Sequence, residues 1–501
     1  MDDRTGKTYR PWQPDRYADE THSPASKLPE GDLVFFLLDT VPQLDLSKFY
    51  AYYEDETRGA PPFDPAEMVC LLLYAYCVGV FSSRKIALAC ERNLAFLAIV
   101  GQDRPDFRTI SDFRKIHLEA FAEVFRAVLR LAAAAGLVKL GNLATDGTKI
   151  QGNASRHKAM SYGYMKKEEQ RLRAEIDSLL RQAQSQDATE DATLGSRRGD
   201  ELPAELRRRH DRLATIAAAK QRLEEQARAE AAAERWRRQE AEADRQRRGQ
   251  SRRGKQPGPI VDTPDDKAQT NFTDPELKMM KANNKGWDYC GNAQATVDEA
   301  YQIIVACDVS DAANDKQQAV PMAQATLENL DHAGIALPTD AAGQVQKIPA
   351  TLDSGYYSES AAQEMENLGF DPYMATGRQR HHAPAETVTV PAQTVMAPAA
   401  TTTAPVETAM APAKTTTATA PLPPLTAKEK MAAKLRTPAG RALYARRKVI
   451  VEPVFGQIKG VRGFRRFLLR GRAKVRGEWR LVCLTHNLLK IWRYGSAPSA
   501  N

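Results

Sequence analysis

Leu137-Val138-Lys139-Leu140-Gly141-Asn142-Leu143-Ala144-Thr145-Asp146 is the stretch on which the fold class turns. Its apolar, strand-forming run reads as a β-strand that delivers an aspartate at its end. From residue 31 up to it the pattern is compact and helical, and strand signals recur after it. The chain is therefore α/β, with an N-terminal all-α part over residues 31–138.

Working upstream, Asp64-Pro65-Ala66-Glu67 opens the clearest helix. Asp64 serves as N-cap, Pro65 takes the first helical position, and Glu67 is placed to close a capping box. The run that follows (Met68, Val69, Leu71, Leu72, Leu73, Ala75) is apolar nearly all round, as a buried helix requires. Two shorter helices are expected at 83–90 and 109–117, around a turn region holding Gly101 and Pro105. A helix-turn-helix-like unit presenting Arg108, Arg114 and Lys115 to DNA fits this pattern. An all-α bundle with a solvated basic face fits it too, and the spacing alone favours the bundle. A further helix at 118–135 ends at Gly136. Residues 1–30 are polar and Pro-rich and read as a flexible arm.

Downstream, residues 161–285 read as a charged helical insertion. Leu172, Ile176, Leu179 and Leu180, then Leu206, Leu213, Ile216 and Leu223, recur at helical spacing. A helical hairpin broken near 195–203 is expected, with too few clean heptads for a long coiled coil. Strand signals return at 289–297 and 301–309, separated by Asp298-Glu299-Ala300 as in an antiparallel hairpin. A helix over 315–333 follows, opened by Asp315 as its cap. A short strand at 348–352 then runs into Asp353, with a helix at 358–367 and a strand at 372–375. Residues 380–425 repeat Met396-Ala397-Pro398-Ala399 as Met410-Ala411-Pro412-Ala413 in an Ala/Thr/Pro background, the composition of a linker without a core. Residues 426–495 read as helical.

The 501 residues allow two to four folded units and exclude small disulfide-stapled folds. The most apolar stretch, 68–81, is too short to span a bilayer, so no membrane role is expected. The N-terminus lacks a signal-peptide pattern. Six cysteines form no CxxC pair and read as reduced thiols of a cytoplasmic protein. Net charge is +8, but residues 441–480 hold thirteen Lys and Arg against two acids. That segment carries +11 and the remainder −3, so the basic character is local and suits a polyanion.

In α/β folds, catalytic side chains sit at the ends of central strands. Asp146 and Asp353 would stand there, and Glu452 follows on a later helix. Carboxylates so gathered suit two divalent cations that activate the attacking oxygen and stabilise the leaving one in phosphodiester chemistry. Asp298 and Asp308 read as turn or strand-edge residues and His381 and His382 as solvated, while Tyr356 and Tyr357 read as packing residues, with an approach of one of them to DNA as the alternative.

The flanking residues carry a resemblance. Leu143-Ala144-Thr145-Asp146-Gly147-Thr148-Lys149-Ile150-Gln151-Gly152-Asn153, Asp274-Pro275-Glu276, Tyr289-Cys290-Gly291-Asn292-Ala293-Gln294, Leu352-Asp353-Ser354-Gly355-Tyr356-Tyr357 and Val451-Glu452-Pro453-Val454-Phe455-Gly456-Gln457-Ile458-Lys459 resemble the DDE transposases of bacterial insertion sequences. The nearest branch is the one numbered eleven-eighty-two, within the group numbered four and five. Leu46-Ser47-Lys48-Phe49-Tyr50 and Asp64-Pro65 extend the likeness.

The resemblance implies a ribonuclease-H-like catalytic core assembled from 139–160, 286–379 and 426–495, and an N-terminal helical DNA-binding domain at 31–138. It implies Asp146, Asp353 and Glu452 as a triad holding Mg²⁺, with Mn²⁺ as substitute. Tyr444, Arg447 and Lys459 match the Tyr, Arg and Lys that the family places around the Glu. Arg447 precedes Glu452 by five residues where the usual signature has four, a place taken here by Lys448. Glu452 and Lys459, seven apart, are expected on one helical face, and Pro453 is expected to put Glu452 at a kink or a helix start. Arg465, Arg466 and Arg470 are the expected phosphate contacts. The implied partners are double-stranded DNA, as element terminal inverted repeats and target, and further copies of the chain. The implied location is the bacterial cytoplasm, at the nucleoid. A nuclease without strand transfer and an inactive transposase-derived DNA-binding protein are the alternatives.

Overall fold

The computed structural model describes residues 7–16, 22–54, 59–194, 204–247, 249, 251, 256–282, 286–377 and 425–495. The 380–425 linker, His381, His382 and the expected break at 195–203 thus lie outside the described residues, save for Leu425.

Seven helices come first: α1 (Leu33–Thr40), α2 (Ser47–Ala51), α3 (Pro65–Cys77), α4 (Ser83–Arg92), α5 (Leu94–Val100), α6 (Phe107–Ile116) and α7 (Ala120–Ala134). Asp64 caps α3 by accepting from the Ala66 N–H at 2.8 Å, with Pro65 in the first turn. The capping box is not formed. Glu67 is fully buried, and its carboxyl lies beside Asp103 instead. α5 occupies residues the sequence reading gave to a turn, where Asn93 caps a short apolar run. Residues 7–16 are not a loose arm. The Trp12 indole donates to Ile99 O at 2.8 Å, and the Gln13 carbonyl lies so close to Gly101 (φ +57°) that a Cβ there would stand 2.2 Å from it.

The chain then enters the sheet with β1 (Leu143–Gln151), followed by β2 (Ala159–Ser161), the long helices α8 (Tyr162–Leu194) and α9 (Ala204–Arg247), β3 (Gln269–Asn271) and β4 (Lys278–Lys281). β5 (Trp287–Asp298), β6 (Ile304–Ser310), α10 (Ala319–His332), β7 (Ile348–Leu352), α11 (Glu359–Asn367) and β8 (Phe370–Met374) complete the α/β part. α12 (Ala427–Arg436), α13 (Pro438–Gly456), a π-turn (Gln457–Val461) and α14 (Arg472–Tyr494) close the chain.

The main sheet runs β4-β5-β1-β7-β8, with β6 also paired to β5. β5 is antiparallel to β1, β4 and β6, whereas β1, β7 and β8 are mutually parallel. The strand expected to end at Asp146 begins instead at Leu143 and continues past it, because β5 pairs with it as far as Gln151. Residues before Leu143 form a bend. Leu140 there takes a positive φ of 54°, and the buried Asp298 carboxylate accepts from the Lys139 and Leu140 N–H groups.

α14 is the central pillar. Its apolar residues join α3, α7 and β6 in one core shared by the N-terminal helices and the sheet. Buried Glu478 accepts from the Leu468 and Leu469 N–H groups and from Tyr76 Oη, and Tyr76 Oη accepts from Arg114. The α8–α9 hairpin has its own small seam of Met165, Leu172, Ile216, Ala219 and Leu223. Beside the seam run ion pairs such as Glu169 with Arg173 and Lys220. Among the described residues no helix is long and apolar enough to cross a membrane.

Candidate active site

The parallel pairing of β1 with β7 runs through Leu143, Ala144 and Thr145 and stops with Thr145 opposite Leu352. The next residue of β1 is Asp146 and the residue that follows β7 is Asp353, so the two aspartates come at the same level of neighbouring strands, whose backbones lie about 4.8 Å apart. The Gly355 N–H donates to Asp353 Oδ1 at 2.6 Å, and the Gly147 N–H to Asp146 Oδ1 at 2.8 Å. Burial pushes the Asp146 carboxyl up to about 6; Arg447 and the Gly147 N–H pull it down, and the neighbouring Asp353 charge pushes it further up.

α13 lies over this edge. Arg447 is buried, and its Nη1 lies 2.9 Å from Asp146 Oδ2. Tyr444, one turn earlier, is half-buried beside Arg447 and both aspartates, and burial raises its hydroxyl above the ordinary range. Lys448, the residue at the usual family spacing, points to the exposed side. The buried stripe of Arg447, Val451, Val454 and Ile458 explains this: position 447 is on the face that meets the sheet and position 448 is not.

Glu452 is exposed, and among the described residues no hydrogen bond or ion pair joins it to either aspartate. No group of three or more His, Cys, Asp or Glu among them is gathered as a metal cage. The helix start expected at Glu452 is absent, since α13 runs on through Pro453. Proline leaves the Val449 carbonyl without its helical donor, and Gln302 Nε2 fills that vacancy at 3.0 Å. The π-turn after Gly456 then breaks the 3.6-residue phase on which the shared face of Glu452 and Lys459 depended. Lys459 turns onto β1 and donates to Thr148 Oγ1 and to Lys149 O, the latter at 3.1 Å.

Arg465, Arg466 and Arg470 are exposed around the far end of β1. Their Nε groups donate to Lys459 O, Gln151 Oε1 and Asn153 O. Gln151 is five residues beyond Asp146, about 17 Å at strand rise. Two other arginines differ from expectation. Arg114 is buried and donates to Tyr76 Oη and Phe81 O, so it does not face DNA, whereas Arg108 and Lys115 are exposed. Arg462, inside the Arg-rich segment, is buried and serves Thr485 and Val482. Tyr356 packs in the core, and its hydroxyl donates to Gln294 Oε1.

Sequence reasoning missed the polar cluster on the opposite face of β1. Asn292 Nδ2 and Gln294 Nε2 donate to Asp315 Oδ1 at 2.7 and 2.8 Å, and Lys149 Nζ lies 4.0 Å from the same oxygen. Its signal was the period-two run of polar Asn292, Gln294 and Thr296, alternating with Ala293, Ala295 and Val297.

The donor chemistry fits a divalent cation such as Mg²⁺, which takes one or two carboxylates and keeps several waters. Asp146 and Asp353 could supply that pair, and a carboxyl pushed up first by burial and then by a neighbouring carboxylate is one that a cation would hold in its charged form.

Two families match segments of the chain. One, described as a transposase domain, matches residues 22–116, which hold α1 to α6. The other, described as a transposase DDE domain, matches residues 410–492, which hold α12, α13 and nearly all of α14. No curated protein and no solved structure matches. These matches give the chain a transposase function. The DDE domain indicates an enzyme with nuclease and transesterase chemistry, and it implies a DNA substrate and a divalent metal.

Proposed function

We propose that this transposase cuts DNA at the ends of an insertion sequence and joins the freed 3′-OH to target DNA. The observation that carries the reading is the juxtaposition of Asp146 and Asp353 at the end of the β1–β7 pairing, with Arg447 against Asp146. A hairpin running into two parallel strands, with helices on the sheet, supports a ribonuclease-H-like core. The family branch rests on the sequence resemblance alone, as do nucleoid location and assembly into oligomers.

Asp146 and Asp353 are the metal-holding pair, and Glu452 is assigned as the third ligand on the resemblance. When bound, Mg²⁺ or Mn²⁺ supplies Lewis acidity and in-line geometry for phosphodiester chemistry. Arg447 balances the Asp146 charge and fixes its carboxylate, and Tyr444 shields that pair from water. Lys459 braces β1 through Thr148. Arg465, Arg466 and Arg470 hold the phosphate backbone about five base pairs from the aspartates. The helices of 31–138 supply further DNA contact through exposed residues such as Arg108 and Lys115.

Incubating the protein with labelled DNA ends flanking its gene, Mg²⁺ and a target plasmid tests the reading. A joined product supports it. Cleavage without joining leaves a nuclease, and a mobility shift without cleavage leaves an inactive DNA-binding protein. Glu452→Gln, assayed alongside, drops out of the triad if it cleaves like the unaltered chain.

A further inference from the structure

Building on the metal-holding role of Asp146 and Asp353, we infer that Asp315 is a positioning residue for that pair, acting through Gln294 and Tyr356. Asp315 is not the helix cap its sequence position suggests. α10 starts at Ala319, and its N-cap is Gln318, without a side-chain capping bond. The Asp315 carboxylate faces the sheet instead, where its Oδ1 accepts from both Asn292 and Gln294.

Those two bonds have a directional consequence. With Nε2 held by Asp315, the Gln294 amide must present Oε1 on its other side, and there it accepts from the buried Tyr356 hydroxyl. Tyr356 belongs to the turn that carries Asp353, and its N–H donates to Asp353 O at 3.2 Å. Gln294 in turn lies opposite Gly147, next to Asp146, in the β1–β5 register. Asp315, Gln294 and Tyr356 thus tie the Asp353 turn to the strand that bears Asp146.

The close approach depends on two glycines. A Cβ on Gly147 would lie 2.8 Å from Asp315 Oδ1, and one on Gly355 would lie 2.9 Å from Asp353 Oδ1 and 3.7 Å from Asp315 Oδ2. Asp315 therefore reaches the aspartate pair from the face of the sheet opposite Arg447. Asn292 is fully buried, and its Nδ2 donates both to Ala312 O and to Asp315 Oδ1, which ties the Asp315 carboxylate to β5 a second time.

The test reads Mn²⁺ binding to the full chain by electron paramagnetic resonance, with Mn²⁺-dependent plasmid nicking as a second readout. Asp315→Ala is expected to weaken Mn²⁺ binding about tenfold, the usual cost of losing a residue that orients a ligand. Tyr356→Phe removes only a hydroxyl and is expected to weaken it similarly. The double variant is expected to be no worse than either, because both cut one tether. Asp315→Asn keeps an acceptor oxygen and is expected to recover most of the loss. Unchanged Mn²⁺ affinity in Asp315→Ala and Tyr356→Phe, or additive losses in the double variant, overturns the inference. An unaltered chain that binds no Mn²⁺ overturns it as well, and the defect then lies in the metal assignment itself.

Discussion

Arg447 on α13 holds Asp146 on β1 by an ion pair of 2.9 Å, across 301 positions of sequence. The pair is largely shielded, with side-chain exposures of 11% and 20%, so the guanidinium acts on Asp146 with little screening. It offsets burial, which alone would leave the carboxyl more strongly protonated at neutral pH.

Removing that cation favours the neutral form of Asp146. Arg447→Ala is therefore expected to move the acid limb of the cleavage–pH profile upward by about one unit or more. Lys448→Ala, on the exposed side of the helix, is expected to leave the limb in place. The pH profile of plasmid nicking measures both.

Gly147 is surrounded by polar atoms. A Cβ there would stand 2.3 Å from Gln294 Nε2, 2.8 Å from Asp315 Oδ1 and 2.9 Å from Asn292 Oδ1. Gly147→Ala is expected to cost about 1–3 kcal/mol of stability and to lower Mn²⁺ affinity, because the displaced side chains hold the Asp353 turn. Denaturant melts and metal titration check the two effects separately.

Glu67 gives the N-terminal helices a pH dependence. Burial, then the charges of Asp103 and Asp64, push its carboxyl from 4.5 up to about 9. Between those values the folded chain keeps a proton that the unfolded chain releases, so this residue's contribution to stability falls as pH rises through that window. Glu67→Gln is expected to flatten the slope and to stabilise the protein at about pH 8 by more than about 1 kcal/mol. Calorimetric Tm values at about pH 5 and about pH 8 distinguish this from a pH-independent effect.

The exposed arginines at the end of β1 bear on DNA affinity. If Arg465, Arg466 and Arg470 each neutralise one phosphate, replacing all three with alanine reduces the log–log salt slope of DNA binding by about 2.7. Arg462→Ala is expected to lower stability instead, because that guanidinium is buried against Thr485 and Val482.

Local pattern revealed much of this architecture. Runs rich in strand formers marked β5 and β6, a short run ending at Asp353 marked β7, and Asp64-Pro65 marked the start of α3. The two aspartates stood out because each ends an apolar run in the sequence, although β1 itself continues past Asp146. What stayed hidden depends on contacts between residues far apart in sequence. Arg114 looks like a surface cation until Tyr76 and Glu478 are brought to it. Glu67 looks like half of a capping box until the helix start is buried. The equal spacing that put Glu452 and Lys459 on one face assumed regular helix, and a π-turn lies between them. The role of Asp315 was masked because its sequence position resembles an N-cap.

Asp353→Asn tests the central claim most directly, because it keeps the size of the side chain and removes its charge beside Asp146. The measurement is Mg²⁺-dependent cleavage of labelled element ends, with binding of the same DNA followed by mobility shift. The account predicts that cleavage is abolished while binding stays nearly unchanged. Full cleavage by Asp353→Asn would contradict it.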